Sequence, residues 1–308
     1  MGKVAFVFPG QGAQAVGMGK AVSESCSAAK DVFRAADEAL GESLSTLCFE
    51  GPEDQLKLTA NTQPALLATS IALLRAFDET PDVVAGHSLG EYSANVAVGA
   101  LPLETAIKIV RLRGTFMQEA VPVGQGAMAA VIGGDLAEIE RVLAETDGVD
   151  PANYNAPGQL VIAGEASAVA AVFEPLSALG CKVKPLAVSA PFHCRLMQPA
   201  EERLTPHLRE AVFSEPSAPV YVNVDAAPYT DPDALRDALI RQVSRPVRWQ
   251  ESVCRMRDDG VELCVEIGPG KVLAGIIKRI DRSIRSVNVQ TPDDFAAAKQ
   301  AIREARGG

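Results

Sequence analysis

Gly86-His87-Ser88-Leu89-Gly90 has a spacing with chemical meaning, a serine with glycine two residues to either side. A serine on a tight strand-to-helix turn sits in crowded backbone, so the residues two away must lack side chains. Such a turn exposes the hydroxyl at a helix N-terminus, where free N–H groups can hold an oxyanion. The apolar run Val83-Val84-Ala85 before Ser88 and the helical pattern after it supply that context. A nucleophilic serine needs a base, most often histidine, and the chain has three. His87 adjoins Ser88, and neighbours on a sharp turn point apart. His207 sits in the polar helical stretch 201–210 and reads as a surface residue. His193 follows a strand and a proline and lies far from Ser88 in the chain, so elimination makes it the base. Cys194 touches His193 in sequence too directly to pair with it as a nucleophile.

Three further polar residues are candidates for the same chemistry. Ala106, Val110, Arg113 and Met117 fall on one helical stripe, and Glu104, Lys108, Arg111 and Thr115 on the opposite, solvated one. Arg113 is therefore expected on a buried face, where a guanidinium needs an anionic partner. Spacing alone favours a structural Asp or Glu; the alternative is a bidentate clamp for a substrate carboxylate. Pro9-Gly10-Gln11-Gly12 is a glycine-rich turn after a strand, and an exposed turn would leave the Gln11 N–H unpaired. It half-matches a dinucleotide fingerprint, but the second strand that motif requires is replaced by a helical pattern over 27–40. Gln63 precedes Pro64 at an expected helix entrance, as a cap or as a pocket-lining side chain.

The elements that must position these groups follow from patterning. The 308 residues are 47% hydrophobic and 22% charged, which fits a large globular domain with a smaller one. The net charge of −10 argues against nucleic-acid binding. No stretch is long and apolar enough to span a membrane, and no His or Cys cluster has metal-ligand spacing. The six scattered cysteines read as reduced thiols of a cytoplasmic protein. Residues 3–8 read as a strand, 61–77 as a helix leading to the serine strand, and 90–100 and 102–118 as helices. Strands are expected at 127–132, 149–153, 159–163 and 182–187, with helices at 136–145 and 166–179. That β-α-β-β-α-β order is the ferredoxin-like unit. We read an α/β protein whose large domain is 1–123 with 189–308, carrying 124–188 as an insertion with a cleft between them.

With these segments in hand, the chain resembles malonyl-CoA:acyl carrier protein transacylases of fatty acid synthesis and the related acyltransferase domains of polyketide synthases. The resemblance runs through Phe8-Pro9-Gly10-Gln11-Gly12, Ala60-Asn61-Thr62-Gln63-Pro64-Ala65, Gly86 to Glu91 and Arg111-Leu112-Arg113-Gly114. It continues in Asn153-Tyr154-Asn155-Ala156-Pro157-Gly158-Gln159, Ala190 to His193 and Glu266-Ile267-Gly268-Pro269-Gly270. It implies an α/β-hydrolase-like large domain, Ser88 as nucleophile, His193 as base, and the N–H groups of Gln11 and Leu89 as the oxyanion hole. It also implies Arg113 on the malonyl carboxylate and the Gln242 main-chain carbonyl, instead of an aspartate, orienting the histidine. A thiol leaving group (pKa about 8.5) makes a strong acid less necessary than an amine would. Phe192 and Leu89 match the malonyl-type pattern, and a bulky ring at 192 should crowd an α-methyl branch. The implied reaction is ping-pong transfer from malonyl-CoA to carrier protein by a monomer without cofactor or metal. Alternatives are a stand-alone acyltransferase of a polyketide assembly line and a thioester hydrolase using the same dyad. Lys182, Lys184, Arg195, Lys271, Lys278 and Arg279 are candidate cations for an acidic carrier.

Overall fold

A computed structural model describes residues 2–188 and 190–308. Ser189, the first residue of the expected return to the large domain, lies outside the described residues, as does Met1. Two sheets organise the chain. The larger has the strand order β10-β9-β1-β2-β7-β8: β1 is Lys3–Phe8, β2 Val83–Gly86, β7 Val220–Val222, β8 Ala227–Tyr229, β9 Val261–Ile267 and β10 Arg285–Val289. All its pairings are parallel except β7 with β8. Helices cover both faces, and the central strands β1 and β2 read as continuous apolar runs. In β1 every residue after Lys3 is buried, and in β2 all four are.

The smaller sheet contains β3 (Gly126–Ile132), β4 (Val149–Ala156), β5 (Gln159–Glu165) and β6 (Lys182–Pro185). Its order is β4-β5-β3-β6 and all its pairings are antiparallel. Side-chain alternation splits its two faces. Ala129, Val131, Leu160 and Ile162 pack on the helices of this unit, while Met128, Val161 and Ala163 gather with Ala152 and Cys194 on the other face. A backbone seam joins β4 to the segment around Val247: Tyr154 donates to the Val247 carbonyl and Val247 to that of Ala152, each at 2.9 Å.

The expected elements are present, several with shifted bounds. The helix placed at 166–179 is two, Ala166–Ala171 and Phe173–Ala178. Pro175 has no N–H to give the Ala171 carbonyl, so the helix breaks there. β4 runs on to Ala156 through two register shifts. β6 stops at Pro185 rather than reaching 187. The helix expected from Asn61 starts at Thr59 and continues to Phe77. No helix among the described residues is long and apolar enough to cross a membrane.

Candidate active site

Three adjacent strands, β1, β2 and β7, end on one edge of the large sheet, and each leads into a polar residue. β1 feeds the Gln11 turn, β2 the Ser88 turn and β7 Asn223. The C-terminal edge of a parallel sheet is where such residues can converge. The turns approach backbone to backbone: a Cβ on Gly90 would lie 2.0 Å from the Phe8 carbonyl oxygen, and one on Gly86 would lie 1.9 Å from the Gly90 carbonyl carbon. Glycine at these two positions is thus a packing requirement. Ser88 itself takes φ 52°, the left-handed conformation that a sharp strand-to-helix turn imposes.

Ser88 Oγ lies 2.7 Å from His193 Nε2, and His193 Nδ1 lies 2.9 Å from the Gln242 carbonyl oxygen. A carbonyl only accepts, so Nδ1 carries the proton and Nε2 is free to accept from the serine. Burial, and then the charge of Arg113, depresses the His193 pKa to about 3, so the imidazole is neutral at pH 7. His87 turns away from the serine and bonds Asn155 of the small sheet at 2.9 Å. His207 is exposed on its helix.

Arg113 is 1% exposed and lies on the buried stripe of the helix Leu103–Glu119. Its partners are neutral. Nη1 donates to Gln63 Oε1 at 2.8 Å, and Nη2 donates to Gln242 Oε1 at 2.9 Å and to Ser88 Oγ at 3.2 Å. Among the described residues no carboxylate is within ion-pair distance of it. The structural ion pair that spacing favoured is therefore not what holds Arg113. A guanidinium stays protonated even when desolvation lowers its pKa, so the site presents a buried positive charge beside the serine.

Gln63 sits in the second turn of its helix, so it caps nothing; it is buried, holds Arg113 and touches Met117 Sδ. The N–H groups of Gln11 and Leu89 have no acceptor among the described residues, and both residues line the cleft. The Gln11 side chain is tethered to Thr59 Oγ1 at 3.2 Å. The cleft, about 430 Å³, opens between the two sheets; Phe192, Met128, Val161 and Asn153 complete its wall. No group of three or more His, Cys, Asp or Glu among the described residues could hold a metal ion.

Two residues of this constellation carried no expected role. Asn223 accepts from the Ser88 N–H at 2.8 Å and donates to the Gly86 carbonyl at 2.7 Å, which pins the turn. Glu91 is fully buried and accepts from the Asn223 N–H and from Gln242 Nε2. The only local hint was a polar residue closing an apolar strand in one case and opening an apolar helix in the other. Among the candidate docking cations, Arg195 is engaged by Asp147 and Asp150, and Arg279 donates to Gln159.

The geometry is that of a serine–histidine pair with free N–H groups and a buried cation, suited to acyl transfer through an acyl-serine. Residues 5–301 match the model of the acyl transferase domain family. The chain is 46% identical to the malonyl CoA-acyl carrier protein transacylase of Bacillus subtilis strain 168, over 99% of this chain and 98% of that one. A solved acyl carrier protein S-malonyltransferase from Vibrio cholerae superposes with a TM-score of 0.94 at 46% identity, covering 96% of this chain and 99% of that one. A malonyl-transacylase solved in complex with a type II PKS acyl-carrier protein gives a TM-score of 0.93 at 43% identity, over 97% of this chain and 99% of that one.

Proposed function

The chain belongs to the acyl transferase domain family, and we propose that it transfers a malonyl group from malonyl-CoA to the phosphopantetheine thiol of an acyl carrier protein. The observation that carries the malonyl assignment is Arg113, a buried cation with no ion-paired carboxylate among the described residues, held by the Gln63 and Gln242 amides and the Tyr92 ring, one N–H of which reaches the Ser88 hydroxyl. An acyl group that ends in a carboxylate supplies the missing anion while its thioester carbonyl sits at Ser88.

In the first half-reaction Ser88 Oγ attacks the thioester carbon and its proton passes to His193 Nε2. The Gln11 and Leu89 N–H groups hold the tetrahedral oxyanion, and the Gln242 carbonyl steadies the imidazolium. The C–S bond breaks, coenzyme A leaves with the proton, and malonyl-Ser88 remains. In the second half His193 deprotonates the carrier thiol, which attacks the ester, and Ser88 recovers its proton. Burial is the main cause that holds His193 low and the Arg113 charge the second, so a carboxylate on Arg113 removes only the smaller of the two. Phe192, in the cleft wall before His193, crowds an α-methyl branch and favours malonyl over methylmalonyl.

We read residues 1–123 with 189–308 as an α/β-hydrolase-like domain and 124–188 as an inserted ferredoxin-like unit, supported by the antiparallel order β4-β5-β3-β6. The relative bound to a type II PKS carrier supports carriers of either fatty acid or polyketide synthesis as acceptors. The test is covalent labelling. Wild type incubated with radiolabelled malonyl-CoA retains label after denaturation, and Ser88→Ala does not; undiminished label on Ser88→Ala would refute the assignment.

A further inference from the structure

Two carboxylates among the described residues are almost fully buried, and they are used differently. Glu266 spends both oxygens at the start of the helix Val272–Ile280: Oε1 accepts from the Leu273 N–H, and Oε2 from the Ala274 N–H and Asn288 Nδ2. A capping role accounts for it. Glu91, in the first turn of the helix Gly90–Ala97, caps nothing. Its Oε2 accepts from the Asn223 N–H at 2.8 Å and from Gln242 Nε2 at 2.9 Å, while its buried Oε1 has no partner. A half-satisfied buried carboxylate is costly, and the nearby Arg113 charge offsets part of that cost. Both of its partners belong to the site.

Glu91 is one of the groups that fix the orientation of the Gln242 amide. A primary amide can be turned end for end at little steric cost. Here Nε2 faces three acceptors, Glu91 Oε2, the Ser88 carbonyl at 2.9 Å and Asn223 Oδ1 at 3.3 Å, so Oε1 must face Arg113 Nη2. Turned over, the amide would aim a donor at a guanidinium that can only donate. The same residue offers its main-chain carbonyl to His193 Nδ1. Glu91 thus shares in aligning the residue that touches both the base and the cation.

We propose that Glu91 is a positioning residue for the transfer reaction, holding the Gln242 amide so that Oε1 supports Arg113 in its carboxylate-binding pose. The proposal rests on the malonyl-transfer reading. Glu91→Gln puts an amide, which can turn its own NH2 toward Gln242, where a carboxyl oxygen accepted from two donors, so it should loosen the Gln242 amide without emptying the space. Gln242→Leu removes the amide itself and leaves the main-chain carbonyl for His193.

The experiment measures kcat/KM for acylation by labelled malonyl-CoA and by labelled acetyl-CoA, with folding checked by circular dichroism and thermal melting. In Glu91→Gln the malonyl-to-acetyl ratio should fall about tenfold, chiefly through a higher KM for malonyl-CoA. Gln242→Leu should lower the ratio at least as far. Combining the two should add no further loss, because both break one link. A folded Glu91→Gln whose ratio stays within twofold of wild type overturns the proposal, as does an equal loss for both acyl groups. If Glu91→Gln does not fold, Gln242→Leu decides: an unchanged ratio there removes the link to Arg113. Wild type run alongside separates the two levels, since its failure to take up malonyl label overturns the malonyl-transfer reading itself.

Discussion

At the cleft the six-stranded sheet ends in three neighbouring strands that lead to Gln11, Ser88 and Asn223, whereas the four-stranded sheet presents the apolar Met128 and Val161 with the amide of Asn153, and Asn155 behind them holds His87. The difference follows from strand direction. Parallel strands all finish on one edge, so a single edge can collect reacting groups from distant parts of the chain. Antiparallel strands alternate ends and offer a face instead, here one that closes over the cleft. The reacting groups belong to the large sheet and the shape of the pocket belongs to both. The two sheets are tied at the site by His87 with Asn155, and beside it β4 is joined to the segment around Val247.

Substitutions on the two sides should separate accordingly. Ser88→Ala should abolish transfer, with a loss of at least about 10⁴-fold, and His193→Ala should cost about 10³-fold. Stopped-flow thiol release reads both, and residual activity above a hundredth of wild type in either breaks the assignment of chemistry to the large sheet. Arg113→Ala should lower kcat/KM for malonyl-CoA roughly 10²-fold and raise the relative use of acetyl-CoA. Equal loss for both acyl groups would sink the clamp. On the small-sheet side Asn155→Ala removes one neutral hydrogen bond, worth about 1 kcal/mol, so kcat/KM should fall tenfold at most with kcat nearly unchanged. A larger fall in kcat would show that the wall takes part in the chemistry.

Acid sensitivity sharpens the same contrast. His193 is held neutral with a pKa of about 3 when folded, against an unfolded value near 6.5. Between those values the unfolded chain binds a proton that the folded chain refuses, so stability falls as pH drops from about 6.5 toward 3. Glu91, raised by burial to about 7, works in the opposite sense, with stability lost as pH rises through that value. Urea melts of wild type and His193→Asn between pH 7 and pH 4 isolate the histidine contribution. The variant should lose less stability on acidification, and parallel losses would contradict the buried neutral imidazole.

Much of this was legible before any coordinates. The apolar runs at 3–8 and 83–85 and the order of strands and helices in the small sheet were readable, whereas β7 to β10 were not expected, being short or, in β9 and β10, interrupted by Glu262, Glu266, Arg285 and Asn288. Ser88 carries a motif, His193 remains after two other histidines are set aside, and Arg113 falls on a buried stripe. The rest depends on distance along the chain. Asn223 lies 135 residues from the amide it holds, and Gln242 lies 49 from His193 and 129 from Arg113, so no local pattern reports them. Gln242 came only through resemblance to a family. Gln63 stayed open between cap and pocket because its helix begins two residues before Asn61, which places it a turn deeper than Pro64 implied. Arg113 was expected to pair with an acid, and its amide partners became visible only once two helices and the 242 segment were seen to converge.

The central claim is that Ser88 passes its acyl group to a carrier thiol rather than to water. Wild type acylated with labelled malonyl-CoA, freed of excess substrate and mixed with phosphopantetheinylated carrier protein, tests it in a single turnover. The account predicts that label leaves the enzyme and appears on the carrier, and that with carrier withheld it stays on Ser88. Release as free malonate at the same rate with or without carrier would contradict it and make the protein a hydrolase.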